Sequence, residues 1–175
     1  NLIKADLFTG PTTLSGLGAH DTLWGGGGDD LVDGGPGLDL FRQSVDAQQV
    51  LADTQATGDG TDTLVAIESG WLDGGASGND LNATAFTRGP VTLDGGAGDD
   101  TLRGSNQDDD LRGSAGSDLV VQVVDATQVL TDTTLTGRGD DVLSSLELAD
   151  LAAGGGNTLL DAGGFSGQTT LSGGA

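Results

Sequence analysis

The sequence predicts an all-β fold, a flattened solenoid with two short strands in each coil. Two stretches support this prediction, because residues 16–42 and 95–121 each divide into three consecutive lines of nine residues. Each line has a glycine-rich first half and a second half of the form x-Asp-x-apolar-x. Glycine permits a sharp turn because φ > 0 costs it nothing, and the alternating half suits one strand with a single inward side chain. Two lines therefore make one coil.

Every line carries an aspartate at its sixth place and an apolar residue at its eighth. The aspartates are Asp21, Asp30 and Asp39 in the first stretch and Asp100, Asp109 and Asp118 in the second. Lines two apart lie one coil apart on the same edge, at about the 4.8 Å spacing of a sheet. We therefore expect Asp21 to lie beside Asp39, and Asp100 beside Asp118.

These turns offer only oxygen ligands to a metal ion. Calcium takes six to eight oxygens at roughly 2.3 to 2.6 Å, so carboxylates and carbonyls of two stacked turns suit it better than magnesium. The predicted carbonyl donors occupy the first and third places of the lines: Gly16, Gly18, Gly25, Gly27, Gly34, Pro36, Gly95, Ala97, Gly113 and Ala115. Asp62 and Asp141 occupy the sixth place of two truncated lines and join the predicted metal ligands. We expect several ions, with weaker binding at Asp30 and Asp109, whose neighbouring lines are degenerate.

The line Gly-Gly-x-Gly-x-Asp-x-apolar-x resembles the RTX, or haemolysin-type, calcium-binding repeat of secreted bacterial proteins. The resemblance implies a calcium-binding parallel β-roll, a right-handed β-helix solenoid. It also implies type I secretion as an unfolded chain, followed by folding in external calcium. Residues 64–68 and 143–147 resemble the apolar-Glu strand that often follows such a line.

Composition excludes several partners. The chain has 6 Lys and Arg against 27 Asp and Glu, a formal net charge of −21, which argues against nucleic acid or an anionic membrane surface as a partner. Low hydrophobicity with high charge is typical of disorder, so we expect calcium to supply much of the folding free energy. No run is apolar enough to insert into a membrane, and no signal peptide is recognisable.

A longer repeat underlies the two stretches, because Gly10, Leu14 and Gly34 recur 79 residues later as Gly89, Leu93 and Gly113. We predict one continuous solenoid over residues 1–175, built of units at about 1–78, 79–157 and, in part, 158–175. A chain without Met that stops at a Gly-Gly suggests a piece of a longer array. The divergent segments 43–57 and 122–136 admit a helix, but their β-branched residues favour strands in wider coils.

The chain has few of the side chains that enzymes use for catalysis. It has one His, one Lys and no Cys, so thiol, triad and zinc sites are nearly excluded, and we assign no catalytic or cofactor-binding residue. His20 is interpreted as a solvated turn residue. Trp24 and Trp71 do not recur in the second unit, and a sugar-stacking platform stays open as an alternative to edge packing.

The predicted function is that of a calcium-binding structural repeat region, secreted or attached to the cell surface. Two alternatives remain open at this stage. The array is either the self-assembling part of a surface layer, adhesin or filament, or the repeat module of a secreted lipase, protease or epimerase whose catalytic domain lies elsewhere.

Overall fold

A computed structural model describes residues 1–174, and this part of the chain consists of strands and turns without a helix. The strands are β1 (Leu2–Lys4), β2 (Thr13–Ser15), β3 (Thr22–Trp24), β4 (Leu31–Asp33), β5 (Leu40–Ser44), β6 (Gln49–Ala52), β7 (Gln55–Thr57), β8 (Thr61–Val65), β9 (Ser69–Asp73), β10 (Asp80–Ala85), β11 (Val91–Ala97), β12 (Thr101–Arg103), β13 (Asp110–Ala115), β14 (Leu119–Val124), β15 (Gln128–Thr131), β16 (Thr134–Thr136), β17 (Asp140–Ser144), β18 (Leu148–Ala153), β19 (Leu160–Gly164) and β20 (Gln168–Ser172). The predicted all-β class is confirmed.

The strands form two sheets of ten, and the chain alternates between them. Sheet A has the order β1-β3-β5-β9-β11-β13-β17-β16-β15-β19, and sheet B has the order β2-β4-β8-β7-β6-β10-β12-β14-β18-β20. Successive coils pair in parallel, as β3 does with β5 and β5 with β9. The parallel β-roll expected from the repeat is therefore the observed architecture.

The core is a thin layer between the two sheets. Leu23, Val32 and Phe41, the apolar eighth-place residues of the first three lines, are each 0% exposed. Their register explains why, since Leu23 pairs with Phe41 in sheet A while Val32 pairs with Leu64 in sheet B. Each short strand thus contributes one inward side chain, as the alternation predicts.

The divergent segments are strands, not helices, but they do not form wider coils. Strand β6 turns back into β7 and β7 into β8 in antiparallel pairs, and β6 then pairs in parallel with β10. The same excursion recurs at β15, β16 and β17. Each divergent segment therefore adds two strands to one sheet, which corrects the expectation of a wider coil.

Equivalent strands of consecutive 79-residue stretches lie in opposite sheets. Strands β3 and β12 are 79 residues apart in sequence, yet β3 lies in sheet A and β12 in sheet B. Nine strand positions separate them, and two of these belong to the antiparallel excursion, so the advance is three and a half coils. The first excursion therefore widens sheet B and the second widens sheet A, which keeps the two sheets equal in width.

Buried glutamines hold each excursion to the roll. Gln43 Nε2 donates to Gln49 Oε1 at 3.0 Å, and Gln49 Nε2 donates to the carbonyls of Val45 at 3.0 Å and Asp73 at 2.7 Å. Gln122 and Gln128 repeat the first of these bonds at 3.2 Å. The buried Gln49 amide gives each of these carbonyls a second donor, since Ala47 N and Val45 N already donate to them, and its own polar atoms are thereby satisfied.

Replacing Gln49 by leucine should lower the free energy of unfolding by about 1–3 kcal/mol, because the buried Gln49 amide makes three hydrogen bonds that leucine cannot replace. Thermal unfolding in saturating calcium measures the change. Gln49 is 0% exposed, whereas the neighbouring Gln48 is exposed and serves as the matched control. If Gln49→Leu and Gln48→Leu unfold at the same temperature, the glutamine pair has no role in anchoring the excursion.

Candidate metal centre

The acidic residues of the turns form hydrogen-bonded ladders along the two edges of the roll. In each step a carboxylate accepts the backbone N–H of the corresponding residue one coil earlier. Asp39 Oδ1 accepts from Asp21 N at 2.8 Å, and Asp118 Oδ1 accepts from Asp100 N at 2.8 Å. The predicted pairs Asp21 with Asp39 and Asp100 with Asp118 are therefore neighbours, since each pair shares a hydrogen bond.

Four of these aspartates keep one oxygen without a partner in the protein interior. Asp21, Asp39, Asp100 and Asp118 are at most 3% exposed, and the Oδ2 atom of each is buried with no hydrogen bond. An unpaired carboxylate oxygen is costly to bury. A cation bound at these four positions would offset that cost.

Glycine at the first place of the line leaves room for that cation. A methyl group on Gly16 would lie 2.6 Å from Asp21 Oδ2 and 2.5 Å from the Gly34 carbonyl oxygen of the next coil. A methyl group on Gly95 would likewise meet Asp100 Oδ2 and, at 2.8 Å, the Gly113 carbonyl oxygen. Carboxylate and carbonyl oxygens thus converge on a space that any larger residue would fill, and this donor set fits calcium.

Within each 79-residue unit the opposite edge differs, because both oxygens of Asp30 in the first unit and of Asp109 in the second already accept hydrogen bonds. Asp30 Oδ1 accepts from Thr12 N at 2.7 Å, and Oδ2 accepts from Gly26 N at 3.0 Å. Asp109 accepts from Val91 N at 2.8 Å and from Ser105 N at 2.6 Å. A cation here would compete with those donors, which agrees in direction with the weaker binding predicted for this pair.

Asp62 follows Asp30 one coil further along its edge, and Asp141 follows Asp109 in the same way on the other edge. Asp62 Oδ1 accepts from Asp30 N, and Asp141 Oδ1 accepts from Asp109 N, both at 3.0 Å. Burial raises the pKa of Asp62 to about 6 and that of Asp141 to about 7. The neighbouring carboxylates of Asp30 and Asp109 add to these increases, while the N–H donors partly oppose them.

The predicted carbonyl donors divide into four groups. The carbonyls of Gly34 and Gly113 face the spaces beside Gly16 and Gly95. The carbonyls of Gly16, Pro36 and Ala115 already accept turn N–H groups at 2.9 to 3.0 Å, and each keeps a second lone pair. Gly25 lies beside Asp30 and Asp62, 3.4 Å or more from their Oδ2 atoms when a methyl group is added. The carbonyls of Gly18, Gly27, Gly95 and Ala97 stay predicted ligands of the same turns.

Within residues 1–174, no three His, Cys, Asp or Glu side chains are grouped closely enough to hold an ion by themselves. Each candidate site instead combines one or two carboxylates with backbone carbonyls. The roll therefore presents sites made of stacked turns, whose ligands come together only when adjacent coils are in register.

Sequence reasoning missed a second, more exposed ladder at the fifth place of the lines. His20 Nδ1 accepts from Leu38 N at 2.9 Å, and Asp99 Oδ1 accepts from Ser117 N at 2.9 Å. Asp29 and Asp108 accept from the corresponding residues of the truncated lines. His20 is thus a specific acceptor and not simply a solvated turn residue. This ladder is hard to recognise in the sequence because its fifth-place residues differ in type, histidine in one line and aspartate in others, and share only the ability to accept a hydrogen bond.

Sequence reasoning also missed the role of Asn79 in the turn after β9. Its backbone N–H donates to Asp100 Oδ1 at 2.7 Å, as the N–H of Asp21 does to Asp39. Asn79 therefore stands at the sixth place of an in-phase line that begins at Gly74, with Leu81 buried at the eighth place. The Gly-Gly at residues 74–75 was the available signal.

The two tryptophans form a stack with basic side chains on the outer face of sheet A. Lys4 Nζ lies 3.8 Å from the Trp24 ring centroid, and the Arg42 guanidinium lies 4.6 Å from Trp24 and 4.0 Å from Trp71. Both cations lie over ring faces, where cation–π attraction holds neighbouring coils together. This arrangement favours surface packing over a sugar-stacking platform.

The fold and the turns define a class, the parallel β-roll in which carboxylates and carbonyls of stacked glycine-rich turns face one another. Residues 8–41 and 92–120 match the RTX calcium-binding nonapeptide repeat in four copies. These two stretches are RTX repeats, a structural calcium-binding module typical of secreted bacterial proteins. A search of curated proteins found no match to the chain. Residues 1–174 include no helix with the length and apolarity to cross a membrane.

Acidification from pH 7.5 to pH 5.5 should stabilise the metal-free fold. The pKa values of about 7 for Asp141 and about 6 for Asp62 mean that the metal-free fold takes up protons in this window. Since the unfolded value is near 3.8, the metal-free fold gains stability as the pH falls through the folded values. A calcium ion needs the ionised form and must displace those protons.

Circular dichroism in excess chelator at pH 7.5, 6.5 and 5.5 measures this effect. The β signal should rise at each lower pH, and Asp141→Asn should flatten the dependence. A signal that stays constant over the whole window would show that Asp62 and Asp141 take up no protons in the metal-free fold.

Proposed function

We propose that this chain is the structural repeat region of a large secreted or cell-surface bacterial protein, and that it folds on binding several calcium ions after export. The observation that carries the proposal is the set of four buried aspartates with unpartnered Oδ2 atoms, Asp21, Asp39, Asp100 and Asp118. A fold that buries these groups in a chain of net charge −21 pays a large electrostatic penalty unless cations neutralise them.

The same electrostatics supports a secretion mechanism. In the low calcium of a cytosol the chain lacks its counterions, and its composition then favours an expanded state. An expanded chain can pass through a narrow secretion channel. External calcium at the affinity of extracellular modules, about 10⁻⁴ to 10⁻³ M, would then drive folding outside the cell. The RTX repeats support this assignment, since they are typical of secreted bacterial proteins.

We further propose that residues 1–175 form one continuous solenoid of 79-residue units, at about 1–78, 79–157 and 158–175, and that the array itself has no catalytic role. An enzyme that carries such an array would hold its active site in another domain. With ten strands in each sheet, the roll would extend for about 43 Å at the usual strand spacing.

Small-angle scattering with light scattering for mass tests this proposal. In calcium the radius of gyration should be near 16 Å, and in chelator it should approach about 44 Å, the values for compact and unfolded chains of this length. A mass that grows with protein concentration in calcium would instead favour the self-assembling surface-layer or filament alternative. A compact monomer in chelator would contradict export as an unfolded chain.

A further inference from the structure

We infer that two short turns outside the nonapeptide pattern, residues 65–68 and 144–147, each complete a calcium site with the aspartate of the preceding coil. The partners are Asp39 for the first turn and Asp118 for the second. The inference rests on the proposed calcium binding of the roll. It adds two sites that the nine-residue lines do not assign, one at the end of each ladder.

Glutamate marks both turns. Of the 27 acidic residues, only Glu68 and Glu147 are glutamates, and they lie 79 residues apart. Glu68 Oε2 accepts from Asp39 N, and Glu147 Oε2 accepts from Asp118 N, both at 3.0 Å. Each glutamate therefore takes the place in the ladder that a sixth-place aspartate takes elsewhere.

The turns are shorter than a nonapeptide turn, which explains the longer side chain. Residues 66–68 join β8 to β9, whereas residues 34–39 join β4 to β5. The shorter connection lacks the glycine-rich residues that bring an aspartate up to the preceding coil. The extra methylene of glutamate fits this shorter connection.

The backbone of each turn also directs a carbonyl oxygen toward the proposed site. Ala66 and Ser145 both have φ of 50°, in the left-handed region that non-glycine residues rarely adopt. The carbonyl oxygen of Ala66 is the nearest atom to a methyl group added at Gly34, and that of Ser145 is the nearest at Gly113. The strained residue in each unit thus presents its carbonyl to the space beside a first-place glycine.

An unpartnered carboxylate oxygen faces the same space in each unit. Asp39 and Asp118 are 0% exposed, and the Oδ2 atom of each has no hydrogen bond. The methyl group added at Gly34 would lie 2.7 Å from Asp39 Oδ2, and the one at Gly113 would lie 2.6 Å from Asp118 Oδ2. A buried anionic oxygen and a carbonyl oxygen therefore converge on one point, with a glutamate carboxylate hydrogen-bonded to the same aspartate residue.

The space beside Gly16 shows what the short turn replaces in the space beside Gly34. There the carbonyl comes from Gly34, a first-place residue of the next nonapeptide line. In the Gly34 space the carbonyl comes from Ala66, and the line is absent. Residues 65–68 therefore stand in for a nonapeptide turn, and each 79-residue unit holds one more ion than its nine-residue lines predict.

Counting bound ions tests the inference. Wild type, Glu68→Gln, Glu147→Gln and the double variant are dialysed against the same calcium concentration, and protein-bound calcium is measured by elemental analysis. Glutamine keeps an oxygen that accepts the Asp39 or Asp118 N–H while removing the charge. Each single variant should bind one ion fewer than wild type, and the double variant two fewer.

The control is Asp150→Asn, which removes one charge from β18 on the outer face of sheet B and should bind as many ions as wild type. Equal counts in all the glutamate variants would overturn the inference and leave the proposed function intact. A wild-type chain that binds no calcium would overturn both.

Infrared spectroscopy of unaltered protein gives a readout that does not depend on any variant folding. Because the chain has only two glutamates, labelling glutamate with ¹³C at its carboxyl carbon reports on these two groups alone. If they bind the ion, their carboxylate stretching bands should differ between the calcium-loaded and strontium-loaded protein. Identical bands with the two ions would show that Glu68 and Glu147 serve only as hydrogen-bond acceptors.

Discussion

Removing calcium with excess chelator should convert this protein from a β-rich fold into an expanded coil. The reason is the balance of charge, since the chain carries a net charge of −21 and the roll buries four unpartnered carboxylate oxygens. Its core is a thin layer with one inward side chain per short strand. At 100-fold excess over the dissociation constant, each bound ion adds about 2.7 kcal/mol of stability, so several ions can decide whether the chain folds.

A far-UV circular dichroism titration with calcium, with magnesium as the control ion, measures this transition. Calcium should produce a cooperative change to a β spectrum, because each candidate site is shared by two coils and forms only when both are in register. Magnesium should not, because it requires tighter octahedral geometry and retains its water. A full β spectrum in chelator would mean that the apolar layer carries the fold alone, and the aspartates would then be a charged surface.

Adding a methyl group at Gly34 or Gly113 should weaken calcium-induced folding by about tenfold or more in calcium midpoint, a loss of about 1.4 kcal/mol. Neither glycine needs a left-handed backbone, so alanine is conformationally allowed at both positions. The methyl group would instead overlap the carbonyl oxygen of Ala66 or Ser145 and lie 2.7 Å from Asp39 Oδ2 or 2.6 Å from Asp118 Oδ2, in the space left for the ion. The variants leave the charge of the chain unchanged.

Gly10→Ala is the matched control for these variants, because a methyl group there has no atom within 4 Å. It should leave the calcium midpoint near that of wild type or lower it slightly, since alanine restricts the unfolded chain. Ion counts at saturation separate a blocked site from a general loss of stability. Gly34→Ala with wild-type midpoint and wild-type ion count would remove the first-place glycines from the proposed sites.

Much of the fold followed from short-range pattern. The alternation x-Asp-x-apolar-x predicts a strand with one inward residue, and Leu23, Val32 and Phe41 are fully buried as expected. The divergent segment 43–57 was harder, because its apolar spacing suits helix and strand alike. Its antiparallel excursion depends on pairing with β10, some thirty residues further on, and on the Gln43–Gln49 bond, and neither partner can be recognised from local periodicity.

The candidate site shows the same division. The nine-residue spacing predicted that Asp21 lies next to Asp39 and Asp100 next to Asp118, and in the structure a hydrogen bond joins each pair. Calcium ligation by these residues stays a prediction. Spacing did not indicate that Glu68 and Glu147 close the ladders, because their turns have a different length from the nine-residue lines.

By itself, the sequence determined the strand period, the inward apolar residue of each line and the oxygen-only chemistry of the turns, because all three repeat within nine residues. Only the tertiary structure decided which sheet each strand joins and which carboxylate oxygens are left without a partner. Those outcomes depend on how coils stack. Seven strand positions besides the excursion separate equivalent strands of the two units, so the second unit lies half a coil out of step with the first. A hydrogen bond from the preceding coil uses one oxygen of an aspartate and leaves the other facing the space beside a glycine.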